Sequence, residues 1–186
     1  SIAHKVISLE IEALKQLKKS LNKNFEKAVS AIVNCQSKII LCGVGKSGII
    51  ASKIASTLSS VGSPAFNLSA NDCLHGDLGS ISKKDLLILI SYSGRSEELI
   101  PIIKFANRNK IKLIGIMSKK NSLLYKNSDI QILLPEVKEA GLGIVPTSST
   151  SIQLAIGDSL AVAALNKKRF SKYDFSKLHP GGNLGK

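Results

Sequence analysis

Four short apolar runs, each closing on a glycine, serine or proline, constrain this chain more than any other feature. KIILCG (38–43), DLLILIS (85–91) and KLIGIMS (112–118) lack polar alternation, and with DIQILLP (129–135) they are too short for buried helices. Each therefore reads as a strand, the first of them buried. PAFNLS (64–69) adds a fifth. Between the strands lie helical patterns: one from about Ser47 to Ser60 with Ile50, Ile54 and Leu58 on one face, one over 96–108, and a short one over SLLYKNS. A long one runs from about Ser149 to Lys167 with Ile152, Ile156, Leu160 and Ala164 inward. Strands and helices alternating with short joins predict an α/β protein: a three-layer αβα sandwich around a five-stranded parallel sheet, doubly wound by right-handed crossovers.

Ahead of the first strand, Ile7, Ile11, Leu14 and Leu21 fall on one helical stripe, which Phe25, Val29 and Ile32 continue. Residues 1–36 are thus expected to form an N-terminal helical arm that covers the sheet or a partner subunit, and 37–186 the α/β domain. A chain of 186 residues is one domain with room for a sizeable core. No apolar run approaches the ~18 residues needed to span a membrane. The opening SIAHKVISLEIEALKQ has no signal core followed by a cleavage site, so a cytoplasmic protein is expected. Cys35, Cys42 and Cys73 are odd in number and form no CxxC pair; they read as buried or half-buried thiols. The net charge of +13 raises nucleic acid as a partner. The lysines are scattered, however, and aromatic residues make up only 4% with no Trp, leaving little to stack on bases. A solvated basic surface that favours small anions is the expectation, with no nucleic-acid partner.

In an open parallel sheet, ligands bind beyond the carboxyl ends of the strands, so the residues just after each strand are the site candidates. After strand one comes Gly43-Val44-Gly45-Lys46-Ser47-Gly48. It matches the tail of a P-loop, but that motif needs a glycine where Ile40 stands inside the strand. It also matches a dinucleotide fingerprint, which expects an acid at the end of strand two; that strand ends Asn67-Leu68-Ser69, with Asp72 beyond, a partial match. Unlabelled, the loop supplies a tight turn, backbone N–H groups at a helix start, and Lys46.

After strand three, Ser91, Ser93 and Ser96 surround Gly94 ahead of a helix, more hydroxyls than one cap requires. A helix N-terminus favours a phosphate dianion through its free N–H groups and its dipole. Glu98 follows in the first turn. After strand five come Glu136-Val137-Lys138-Glu139, then Thr147-Ser148-Ser149 at the next helix start, and the two hydroxyl loops can share one phosphate. No Asp-rich metal site accompanies them, so no metal or nucleotide cofactor is expected. His75, in LHGDLG, and His179, in LHPGG, are isolated histidines. His179 lies beyond the last long helix, where it can leave its own subunit and complete a neighbour's site.

Taken together, GVGKSG (43–48), HGDLG (75–79), ISYSGRSEE (90–98), VKEAGLGIVPTSST (137–150), GDSLAVAAL (157–165) and HPGGNLG (179–185) resemble the sugar isomerase (SIS) domain family, in its arabinose 5-phosphate isomerase branch. The resemblance covers almost the whole chain in order. It implies a flavodoxin-like SIS fold and a reversible aldose–ketose isomerisation of D-ribulose 5-phosphate and D-arabinose 5-phosphate through an enediolate, supplying the Kdo sugar of lipopolysaccharide. It implies catalytic roles at Lys46, Glu98, Glu139 and His179, and a further substrate contact at His75. Phosphate-binding hydroxyls are implied at Ser91, Ser93, Ser96, Thr147, Ser148 and Ser149, with Gly45 and Ser47 beside them. It implies no cofactor and a homotetramer with sites at subunit interfaces. Either glutamate can serve as the carbon base, and Lys46 can stabilise the enediolate.

The chain departs from that pattern in places. Longer family members carry two CBS domains after HPGG, and nucleotide regulation through them is not expected of residues 1–186. Ser69-Ala70 stands where many members have a histidine–proline pair, Tyr92 where asparagine is usual, and KEAGLG where a cysteine-containing form is common. The alternatives are another sugar-phosphate SIS isomerase, such as a hexulose-phosphate isomerase, or a non-catalytic sugar-phosphate-binding SIS module. A dinucleotide oxidoreductase is more remote.

Overall fold

The computed structural model describes residues 1–181; Gly182 to Gly185 of the HPGGNLG stretch lie outside them. Two helices come first, α1 (Ile2–Ser20) and α2 (Lys23–Val33). The chain then alternates: β1 (Ile39–Gly43), α3 (Lys46–Ser60), β2 (Ala65–Asn67), a short α4 (Ala70–Cys73), β3 (Leu86–Ile90), α5 (Ile100–Arg108), β4 (Lys112–Met117), α6 (Leu123–Asn127) and β5 (Ile130–Leu133). A single turn, α7 (Gly141–Ile144), leads to the long α8 (Ser148–Lys167) and to α9 (Lys172–Leu178). The five strands are all parallel, in the order β2-β1-β3-β4-β5.

Side-chain parity divides the core into two layers. Successive strand residues point to opposite faces. Ile39, Leu41, Leu86, Ile88, Ile90, Ile114, Ile116, Ile130 and Ile132 pack with α1, α2, α3 and α8 on one face. Ile40, Cys42, Leu87, Leu89, Leu113 and Met117 pack with α4, α5 and α6 on the other. Every residue of β1 and β3 is buried, which is why these strands show no polar alternation. Each such Leu or Ile contributes about 1.5–3 kcal/mol on leaving water. Of the cysteines, Cys42 and Cys73 are buried and Cys35 is half-buried; burial, the largest cause, pushes the Cys42 thiol up to about 12, so it stays protonated at neutral pH.

The two helices of the arm meet the core differently. Phe25, Val29 and Ile32 do pack against the core. On α1, however, Ala13 and Leu17 are the residues buried against α8, while Ile7, Ile11, Leu14 and Leu21 are exposed, between 39% and 56%. The stripe exists, but it faces away from this chain's own core.

Helix α8 is sheathed by α1, α2 and α3. Its approach to α3 turns on Gly157, where an added Cβ would run into the side chain of Ile54. That close crossing brings the N-terminal ends of α3 and α8 together, at the carboxyl edge of the sheet. At the opposite edge, the Asp85 carboxylate is shielded from solvent and accepts from Lys38 Nζ at 2.9 and 3.1 Å and from the Ser82 N–H at 2.6 Å.

Candidate functional site

The glycines of the first loop have separate tasks. Gly45 caps α3 with φ of +57°, a left-handed conformation that side chains disfavour. A Cβ on Gly43 would come within 2.7 Å of the Ser47 carbonyl, and one on Gly48 within 2.8 Å of the Gly43 oxygen. Two glycines thus let helix and strand touch, and the third makes the turn. Lys46 is the first helical residue; it is exposed and takes part in none of the ion pairs among the described residues.

Beside this turn lies a cleft of about 450 Å³, at the point where β1 and β3 send their helices to opposite faces. Lys46, Ser47, Ser91, Ser93, Ser96, Glu139 and Ser149 line it. The β3 exit is held by its own hydroxyls: Ser91 Oγ lies 3.0 Å from Ser96 Oγ and accepts the Gly94 N–H at 3.1 Å, while Ser93 Oγ accepts the Arg95 N–H at 3.2 Å. Ser47 Oγ donates to Gln153 Oε1 at 3.2 Å, joining α3 to α8 across the cleft wall.

Glu139 occupies the N-terminus of α8. Its carboxylate accepts the Thr147 N–H at 2.9 Å, the Thr147 hydroxyl at 3.2 Å and the Ser149 N–H at 3.2 Å. The Thr147 hydroxyl in turn accepts the Ala140 N–H at 3.0 Å. Burial raises the carboxyl pKa, but the hydrogen bonds from Ser149 and Thr147 outweigh it, and the group lies below the usual carboxylate range. The Thr147 N–H and hydroxyl and the Ser149 N–H are thus taken up by a side chain of the protein itself. Ser148 is fully buried, and its hydroxyl has no hydrogen-bond partner among the described residues.

Six expected residues do not line this cleft: Gly45, His75, Glu98, Thr147, Ser148 and His179. Glu98 is half-buried in a 3₁₀ turn (Glu97–Leu99) that packs against α4. His75 is exposed with its neighbours Leu74, Gly76 and Asp77. His179 caps α9, its ring stacked on Phe175 at 3.8 Å and its Nδ1 2.8 Å from the Phe175 carbonyl oxygen. Gly45 faces a neighbouring depression shared with Asn67 and Asn71. Gln153, a lining residue that sequence reasoning missed, is buried. Its signal was available: a lone amide four residues after Ser149, on the same helical face.

Known proteins share this architecture. The SIS domain family matches residues 32–163. The chain is 42% identical over 182 residues to the arabinose 5-phosphate isomerase KdsD of Yersinia pestis and 44% identical over 182 residues to that of Francisella tularensis, matching 97% and 96% of its own length. It spans 56% of the length of each of these relatives. A solved Escherichia coli CFT073 protein in complex with arabinose 5-phosphate superposes with a TM-score of 0.90 at 34% identity, covering 94% of each chain. With a five-stranded parallel sheet and this spread of similarity, the chain belongs to the SIS domain family.

Proposed function

We propose that this protein interconverts D-ribulose 5-phosphate and D-arabinose 5-phosphate, as an arabinose 5-phosphate isomerase of the Kdo branch of lipopolysaccharide synthesis. The observation that carries the proposal is the meeting of a lysine ammonium, a carboxylate and a cluster of serine hydroxyls in one cleft. Relatives named as this isomerase and the structural relative holding arabinose 5-phosphate support the choice of substrate.

In this proposal the phosphate rests on Ser47, Ser91, Ser93 and Ser96, and its remote binding energy positions the sugar. Glu139, ionised at neutral pH, removes a proton from C1 of the ketose. The electron pair forms the C1–C2 double bond, and the negative charge develops on O2, near Lys46. A proton then moves from O1 to O2, and the proton taken from C1 is returned at C2 to give the aldose. Glu98, His75 and His179 carry the ring-opening and oxygen-proton steps from the rim of a neighbouring subunit's cleft. Thr147 and Ser149 hold Glu139 in place.

That division of labour requires an oligomer, proposed as a homotetramer. The exposed α1 residues Ile7, Ile11 and Leu14, Leu21 just after that helix, and the exposed Leu74 beside His75, supply apolar surface for it. No helix of the described residues is long and apolar enough to cross a membrane.

The deciding experiment incubates the purified protein with ribulose 5-phosphate and looks for arabinose 5-phosphate. Conversion supports the proposal. Turnover only of another ketose phosphate replaces the substrate, and binding of sugar phosphate without turnover makes the protein a sensor.

A further inference from the structure

Tyr92 stands at the exit of β3, between Ser91 and Ser93, yet its hydroxyl ends among the residues that follow β5. It accepts the Val137 N–H at 2.8 Å and donates to the Pro135 carbonyl at 3.2 Å. Its own carbonyl is held from a third strand: the Ser118 N–H and hydroxyl, at the exit of β4, donate to it at 2.8 and 2.6 Å. The half-buried ring packs beside Val137 against the core. One residue therefore links three consecutive strand exits, and its far end reaches a point two residues before Glu139.

The segment it holds has few other ties. Leu134 is the last residue of this stretch bonded to the sheet, through the Met117 carbonyl. Beyond Ala140 come Gly141, Leu142 and Gly143, all at positive φ, so this turn imposes no regular helix or strand on the chain before it. Between Leu134 and Ala140 the Tyr92 hydroxyl satisfies both a backbone donor and a backbone acceptor. The other ties are the exposed Lys119–Glu136 ion pair, of a kind worth little, and, at the far end, the bonds from Thr147 and Ser149 to the Glu139 carboxylate.

We propose that Tyr92 is a positioning residue for the isomerisation: through Pro135 and Val137 it sets the distance between the Glu139 carboxylate and a substrate whose phosphate is held by Ser91, Ser93 and Ser96. This rests on the reading of the cleft as an isomerase site. A phosphate loop and a base carried by different strands need a rigid link, because a displacement of about 1 Å at a reacting centre costs on the order of a hundredfold in rate. The burial that dominates its environment holds the phenol's pKa above its ordinary value, so the hydroxyl stays protonated and keeps both bonds through neutral pH.

The test is Tyr92→Phe, which keeps the ring and its packing and removes only the hydroxyl. The expected result is a fall in kcat of roughly tenfold, the equivalent of about one net hydrogen bond, with KM within about twofold because the serines are untouched. Freed of its clamp, Glu139 loses part of its bonding to Thr147 and Ser149. The acid limb of the pH–rate profile should then move to higher pH, and Tyr92→Phe combined with Glu139→Gln should be no slower than Glu139→Gln alone. Unchanged kcat, or a loss confined to KM, overturns the proposal. An NMR titration of the Glu139 carboxyl separates this from failure of the isomerase reading. If the wild type turns over no pentose phosphate, an upward shift of that carboxyl in Tyr92→Phe still supports the clamp, and an unshifted carboxyl refutes it.

Discussion

Glu139 and Thr147 lie eight residues apart and close on each other twice: the Thr147 N–H and hydroxyl both donate to the Glu139 carboxylate, at 2.9 and 3.2 Å. The proposed base of the reaction is thus also the cap of the longest helix. A carboxylate at a helix N-terminus is favoured by the free N–H groups and the dipole, and here it closes the loop that borders the substrate cleft.

Glu139→Gln separates the two roles. Glutamine keeps the length and one acceptor oxygen, so α8 should stay capped and the fold intact, while kcat falls by about 10²–10⁴, the range of a lost general base. The folded-state pKa of Glu139 is depressed below its ordinary 4.5. Its contribution to stability is therefore present above that value and is lost as pH falls through the depressed one. Melting temperatures followed downward from pH 6 should drop more steeply below pH 4.5 for the wild type than for Glu139→Gln. A variant with wild-type turnover would remove Glu139 from the mechanism.

Asp85 offers a second acid-sensitive lock, at the opposite edge of the sheet from the cleft. Burial opposes its charge, but bonds from Lys38 and Ser82 prevail and bring its pKa from 3.8 to about 2. The difference corresponds to about 2 kcal/mol of stability, present above pH 3.8 and lost as pH falls toward 2. Asp85→Asn should lower unfolding stability at pH 7 by about that amount, and the gap between the two proteins should narrow below pH 3.8. Activity per folded molecule should not change. Equal stability of the two proteins at pH 7 would show that the pair contributes nothing net.

The layered sheet was legible because strand parity and burial on both faces leave a compositional mark. KIILCG and DLLILIS contain no residue that solvent would favour between their ends, and the rule of strand carboxyl ends then selected Lys46, Ser91 and Glu139 as neighbours. Which surface the arm's stripe covers was not legible, because a 3–4 stripe of Ile and Leu reports that a helix face is apolar, not what covers it. Ala13 and Leu17 are the residues of α1 buried against α8. The Tyr92–Val137 and Glu139–Thr147 bonds join residues across loops with no periodicity, and no local pattern encodes them. Glu98, His75 and His179 fall outside the cleft of a single chain, and their grouping in a neighbouring subunit's cleft is part of the proposal.

That level can be tested by mixing. If His179 completes a neighbour's site, Glu139→Gln and His179→Ala are each nearly inactive alone. Co-assembled after mild dissociation, they should form some sites with both native residues and recover a measurable fraction of activity. No recovery in proven mixed oligomers would assign His179 to its own subunit's cleft. Ile7→Glu combined with Ile11→Glu, on the exposed face of α1, should reduce the oligomer size in sedimentation and make activity fall with dilution, with little change in helical content.

The crossing of α3 and α8 sets the cleft wall, and Gly157 sets the crossing. Gly157→Ala places a methyl group against Ile54, and overpacking of this kind costs about 1–3 kcal/mol. The helices would separate at a point one turn along α8 from Gln153, whose bond to Ser47 is 3.2 Å long. A shift of a few tenths of an ångström there would draw Ser47 away from the β3 serines. Both a lower melting temperature and a raised KM for the sugar phosphate are expected, with kcat less affected because Glu139 is held by Thr147 and Ser149. Adding Ile54→Val, which shortens the opposing side chain, should recover part of each loss. If the double variant restores stability while KM stays high, the cleft depends on the glycine's backbone and not on the helix spacing.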